Sequence, residues 1–128
     1  MTKIQDSALF YYLLRIQQLS DISVDNIYFF ILGYDTKNLS EGNNEEWVNE
    51  FIVFMDLKVS KLYYNIETRY PMSFGYIIMK HQETNKKGLD LFFKLFYEFC
   101  EVYIVNFYEN LDNFKNKAIK KLSESDFI

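Results

Sequence analysis

Residues 89–109 constrain the fold more than any other part of the chain. Asp90, Lys94, Glu98 and Glu101 recur there at spacings of four, four and three, which aligns them along one face of a helix. Nearly every residue between them is apolar or aromatic, so this helix has a narrow polar stripe and must be enclosed on its other sides. The same four charges make it a poor membrane span.

The flanking sequence supplies helices to enclose it. Thr2-Lys3-Ile4-Gln5 has the spacing of a capping box, and Leu9, Leu13 and Ile16 continue at helical intervals, predicting a first helix over about 4–20. Asp21-Ile22-Ser23 interrupts it. Ser23 caps a second helix, reaching roughly Asn38, on the stripe Val24, Ile27, Tyr28, Ile31 and Leu32. Gly33 inside it signals a kink or a close neighbour. Ser40-Glu41-Gly42-Asn43-Asn44 is a loop, with Asn44 placed to cap a helix starting at Glu45-Glu46. Trp47, Phe51, Met55 and Leu62 carry that third helix to about Tyr64, with acids early and Lys58 and Lys61 late, as the helix dipole favours.

Pro71 restricts Tyr70 and breaks the pattern over 65–72. Residues 73–82 are short, aromatic and β-branched, a pattern that suits a strand or a buried helix; with no partner strand evident, helix is the expectation. Residues 83–88 read as a polar loop. Beyond 109, Leu111, Phe114, Ala118 and Leu122 predict a short Lys-rich helix that frays after Ser123.

The expected architecture is all-α: one compact domain over 1–128, a bundle of about five to six helices around a central aromatic-rich helix at 89–109. Composition agrees. Thirteen Phe and eleven Tyr exclude a disordered chain, while four Gly and one Pro are too few for the turns of an all-β fold.

The formal charge is -4, from 18 acids and 14 bases, so no global positive field attracts phosphates and nucleic acid is not an expected ligand. Cys100 has no second thiol with which to pair, pointing to a reducing compartment. The N-terminus lacks the pattern of a secretory signal, so the cytoplasm is the default location.

Residues that could carry chemistry are few. His81 is the sole histidine, which excludes a histidine pair for zinc, and Cys100 falls on an apolar helix face. The carboxylate pairs Glu45/Glu46 and Glu98/Glu101 have no converging partner in sequence and read as solvated helix faces. With no phosphate loop or nucleophile elbow present, the expectation is a protein that is not an enzyme and uses no cofactor or metal. Runs such as Phe10-Tyr11-Tyr12 and Tyr28-Phe29-Phe30 hold more ring surface than one helix face buries, which fits an aromatic core rimmed by tyrosine hydroxyls or, as the second reading, rings left for an interface.

Over residues 28–99 the order of features resembles small helical immunity proteins of bacterial polymorphic toxin and contact-dependent growth inhibition systems. The residues carrying the resemblance are Phe30-Ile31-Leu32-Gly33-Tyr34, Trp47-Val48-Asn49-Glu50-Phe51, Tyr63-Tyr64-Asn65, Ser73-Phe74-Gly75-Tyr76-Ile77-Ile78 and Gly88-Leu89-Asp90-Leu91-Phe92-Phe93-Lys94-Leu95-Phe96-Tyr97-Glu98-Phe99. The chain departs from many relatives in lacking an Arg-Pro-Gly-Met-Tyr-Leu-Gly opening. The resemblance implies a protein that binds a cognate toxin C-terminal domain and blocks its active site or substrate access.

Many such toxins attack nucleic acids through basic clefts, which an acidic partner can fill. On charge alone, the toxin-binding candidates are Tyr34, Asp35, Glu41, Glu45, Glu46 and Glu50, with Glu98 and Glu101 as a second patch. A helical adaptor or regulatory protein, acting through protein contacts or as a homodimer, is the alternative. An enzyme using His81 or a carboxylate pair, and nucleic-acid binding through the C-terminal lysines, rank below both.

Overall fold

The computed structural model describes residues 3–19 and 22–122, and every regular element among them is helical. A short 3-10 turn, Ile4–Asp6, precedes α1 (Ala8–Gln17), α2 (Val24–Ser40), α3 (Glu46–Tyr64), α4 (Phe74–His81), α5 (Asn85–Tyr103) and α6 (Phe107–Lys121). The all-α expectation holds, and residues 73–82 form a helix rather than a strand.

Hydroxyl caps fix three of the helix starts. Ser23 Oγ accepts the Asn26 N–H at 3.1 Å, Ser73 Oγ accepts that of Tyr76 at 3.2 Å, and Thr84 Oγ1 accepts that of Lys87 at 3.2 Å. Each bond satisfies a backbone donor that the first helical turn would otherwise leave free.

Thr84 also moves a boundary, since α5 begins at Asn85 where a loop to Gly88 was expected. Gly88 is helical and buried there, and a Cβ would stand a tight 3.3 Å from Ile78 Cγ2 and Val24 Cγ2, so its small size lets α5 approach α2 and α4 closely. Gly75 serves α4 in the same way, its absent Cβ falling 2.9 Å from Tyr28 Cβ on α2.

Other boundaries are corrected as well. The expected first helix is split, because Ser7 is extended between the 3-10 turn and α1, which ends at Gln17. Its expected end at residue 20, the Thr2 half of the capping box and the tail after Ser123 lie outside the described residues. Gly33 meets nothing within 4 Å of a Cβ position, so no close neighbour accounts for it. Asn44 does not cap α3; Glu45 occupies that position without a side-chain capping bond. Leu62 is 58% exposed, and Val59 and Ser60 take its place on the inner face.

The largest correction concerns the helix expected over 89–109. It stops at Tyr103, Asn106 adopts a left-handed conformation with φ 55°, and α6 starts at Phe107. Ile104 plugs into the core beside this elbow while Val105 turns outward. The β-branched pair offers little helical propensity to resist the break.

In the core, Phe51 on α3 has ring centroids at 6.0 Å from Phe92, 5.4 Å from Phe96 and 5.2 Å from Phe99 on α5, and 6.4 Å from Phe74 on α4. Helix α1 packs chiefly on α6, and α2 on α4. One buried polar cluster fastens the connection between α3 and α4. Asp56, 5% exposed, accepts from Arg69 Nη2 at 2.5 Å, Arg69 Nε at 3.1 Å and the Phe74 N–H at 3.0 Å. Buried Ser60 accepts the Tyr70 N–H at 2.8 Å.

Asp56 is enclosed while Arg69 is half exposed, so removing the carboxylate chiefly strands the buried Phe74 N–H and frees a guanidinium that water can reach. Asp56→Ala should therefore lower the unfolding free energy measured in urea by about 2 kcal/mol. Lys61→Ala, at an exposed pair with Glu67, should change it by less than about 0.5 kcal/mol. Comparable effects for the two would contradict the assigned role of Asp56.

Candidate functional site

The acids at the start of α3 divide into two kinds. Glu45 is engaged within the fold: Tyr34 Oη and Asn38 Nδ2, both from α2, donate to its Oε2, the second at 2.5 Å. It ties α2 to α3 across the 41–45 turn. Glu41, Glu46 and Glu50 are exposed, and none of them forms an ion pair among the described residues.

Asp35 lies beside this tie. Its carboxyl is held above its ordinary value of 3.8 by burial first and by the negative charge of Glu45 second. Burial and then the bond to Glu45 likewise push the Tyr34 phenol up. Asp35, Leu39, Asn44, Glu46, Asn49 and Glu50 line a shallow recess of about 410 Å³.

Glu50 also looks the other way, toward α5. The Tyr103 phenol is raised by burial and then by the charge of Glu50, the two residues lining the same recess. Tyr103 rests on Phe99 at 4.8 Å between ring centroids. Here a second recess of about 380 Å³ opens, mainly apolar, over Val53, Phe54, Leu57, Phe99 and Val102. Because Asn49 and Glu50 line both recesses, the two form one continuous surface.

The second predicted patch borders that surface. Glu98 stands 3.8 Å from Lys58 Nζ, and Lys58 lies 5.4 Å from the centre of the Phe54 ring. The Tyr108 phenol is raised by burial, then by Glu101 and Glu98, which places both acids toward the elbow between α5 and α6. Two acid groups far apart in sequence therefore flank an apolar strip that sequence reasoning assigned to the core. Val102 is 73% exposed, Tyr103 53% and Val105 84%. The available signal was local: Val102-Tyr103-Ile104-Val105 is a β-branched and aromatic run followed by Asn106, a residue type that tolerates left-handed geometry.

A larger recess, about 990 Å³, lies between the end of α1 and α5, floored by Ile16, Leu89, Phe93 and Tyr97. Lys86 and Lys94 are balanced there by Asp90 and Glu98, so it favours neither sign of ligand. Three of the four lysines of α6 are also engaged: Lys115 lies over the Tyr97 ring at 5.9 Å, and Lys117 and Lys121 lie over Tyr11 at 5.4 and 4.8 Å.

His81 is stacked on Tyr63 at 4.5 Å, and its Nε2 is 3.0 Å from the Tyr64 hydroxyl, away from these three recesses. Cys100 is buried, and burial pushes its thiol up, which disfavours the thiolate a nucleophile requires. Among the described residues no cluster of three or more potential ligands could hold a metal ion, and no helix is long and apolar enough to cross a membrane. No family model matches the chain, and no curated protein or solved structure matches it either.

The placement of Asp35 has a measurable consequence. A carboxyl whose folded-state pKa is raised contributes stability below its unfolded value and loses it as pH rises through the folded value. Asp35→Asn should therefore raise Tm at pH 7, with the gain disappearing below about pH 3.8. A variant less stable than the native chain at pH 7 would contradict the assigned electrostatic cost.

Proposed function

We infer that this chain is an immunity protein: it binds a cognate bacterial toxin domain, foremost a nuclease, and neutralises it by covering the active site or the path of the substrate. The observation that carries this reading is the continuous surface of α3 and α5, where unpaired Glu46 and Glu50 adjoin an exposed apolar strip. Acids of one sign steer a basic partner and raise the rate of encounter, while buried apolar and aromatic contacts contribute the affinity. The ordered resemblance over residues 28–99 supports the same class.

In this reading the protein acts in the cytoplasm of the toxin-producing cell, by binding rather than catalysis, and needs no cofactor. The roles of the predicted acids are unequal. Glu46 and Glu50 meet the toxin, Glu98 and Glu101 border the contact, and Glu45 with Tyr34 holds the surface in shape.

A second reading, a homodimeric adaptor, is favoured by one observation, the outward exposure of Val102, Tyr103 and Val105. An analytical ultracentrifugation profile showing only monomer would remove it.

Co-expression with the toxin domain encoded immediately upstream tests the leading reading. Cells should survive, and the purified proteins should associate one to one. Glu46→Lys combined with Glu50→Lys should weaken that association at least about tenfold while circular dichroism and Tm stay near native. A chain that neither protects nor binds would remove the immunity reading, and native affinity in the double variant would move the contact elsewhere.

A further inference from the structure

We propose that the recess between α3 and the C-terminal end of α5 seats a basic amphipathic segment of a partner protein. A bulky aliphatic side chain would fill the space over Val53, Phe54, Leu57 and Val102, and a neighbouring lysine or arginine would meet Glu50 and Glu46. The proposal deepens the toxin-neutralising reading and rests on it for the identity of the partner, but the chemistry of the contact comes from the recess itself.

Charge selects the occupant. Three carboxylates, Asp35, Glu46 and Glu50, line this recess and the polar one it joins, and no basic residue does among the described residues. Lys58, set against the ring of the lining residue Phe54, is already 3.8 Å from Glu98. An acidic or neutral segment would leave these carboxylates uncompensated as they lose water, whereas a basic one offsets them. Asp35 and Glu45 already repel one another in the free chain, and an incoming cation relieves that repulsion.

Apolar chemistry selects the anchor. Val102 and Leu57 are exposed above a floor made by Phe54 and Phe99, so an aliphatic side chain placed there removes apolar surface of both molecules from water. Tyr103, resting on Phe99 and lining the recess with Glu50, forms a wall at the junction of the apolar and charged parts. A segment with an aliphatic residue and a basic residue on one face matches both parts at once. The larger recess at α1 and α5 has balanced charges and offers no comparable selection.

Three synthetic peptides test the proposal by fluorescence anisotropy at physiological salt: an amphipathic leucine–lysine helix, its serine–lysine counterpart and its leucine–glutamate counterpart. The leucine–lysine peptide should saturate at one per chain, and both counterparts should bind at least about tenfold more weakly. Leu57→Ser combined with Val102→Ser keeps every charge and alters only exposed positions, so the fold should persist. That variant should lose at least about tenfold in affinity for the leucine–lysine peptide.

Equal binding of the serine–lysine peptide, undiminished binding by the double variant, or no binding of any peptide would overturn the proposal. It would also be overturned if sedimentation finds the native chain dimeric and the double variant monomeric, since a second copy would then be the occupant. The two readings fail separately. Peptide results as expected with no toxin binding would leave the recess and remove the toxin; a double variant that binds toxin normally, with peptides failing, would do the reverse.

Discussion

Phe51 is the side chain on which the arrangement of this molecule turns. Its ring lies among Phe74, Phe92, Phe96 and Phe99, all of them fully or almost fully buried, and so joins α3 to both α4 and α5. Interiors this dense transmit small displacements, and edge-on aromatic contacts fix relative orientation as well as distance. Phe99 serves two purposes: one side belongs to that core, and it also floors the recess beneath Tyr103. The register of α3 against α5 thus decides whether Glu50 can reach Tyr103, so the candidate surface is a product of the core rather than an addition to it.

The charges of the chain are distributed by task. Asp56 is consumed in holding the α3–α4 connection, Glu45 in tying α2 to α3, and three lysines of α6 in covering Tyr11 and Tyr97. Glu46 and Glu50, which have no such task, line the recesses on α3 and beside the end of α5. Net acidity alone is a weak guide, because it counts Glu45 and Glu50 alike. Their partners separate them.

Much of the fold was legible because helical periodicity and hydroxyl caps are local. The stripe from Val24 to Leu32 and the Ser23 cap located α2, and the absence of a partner strand decided α4 in favour of helix. What escaped was decided by tertiary context or by single residues. Thr84 overrode a polar run that reads as loop, and Gly88 was useful inside α5 because Ile78 and Val24 press against it. At Asn106 a left-handed residue ended a helix whose periodicity continues. The site was legible as charge but not as geometry. Glu50 and Tyr103 meet only through the packing of α3 on α5, and no spacing in the sequence encodes that contact.

The proposed docking of a partner where α3 meets the end of α5 would leave a local footprint on the backbone amides. Amide chemical-shift mapping by NMR, with the upstream-encoded toxin domain titrated into the labelled chain, tests this most directly. The account predicts perturbations centred on residues 46–57 and 98–105, with little change at 16–19 and 85–94. Perturbations centred on 16–19 and 85–94, with 46–57 and 98–105 unmoved, would contradict it.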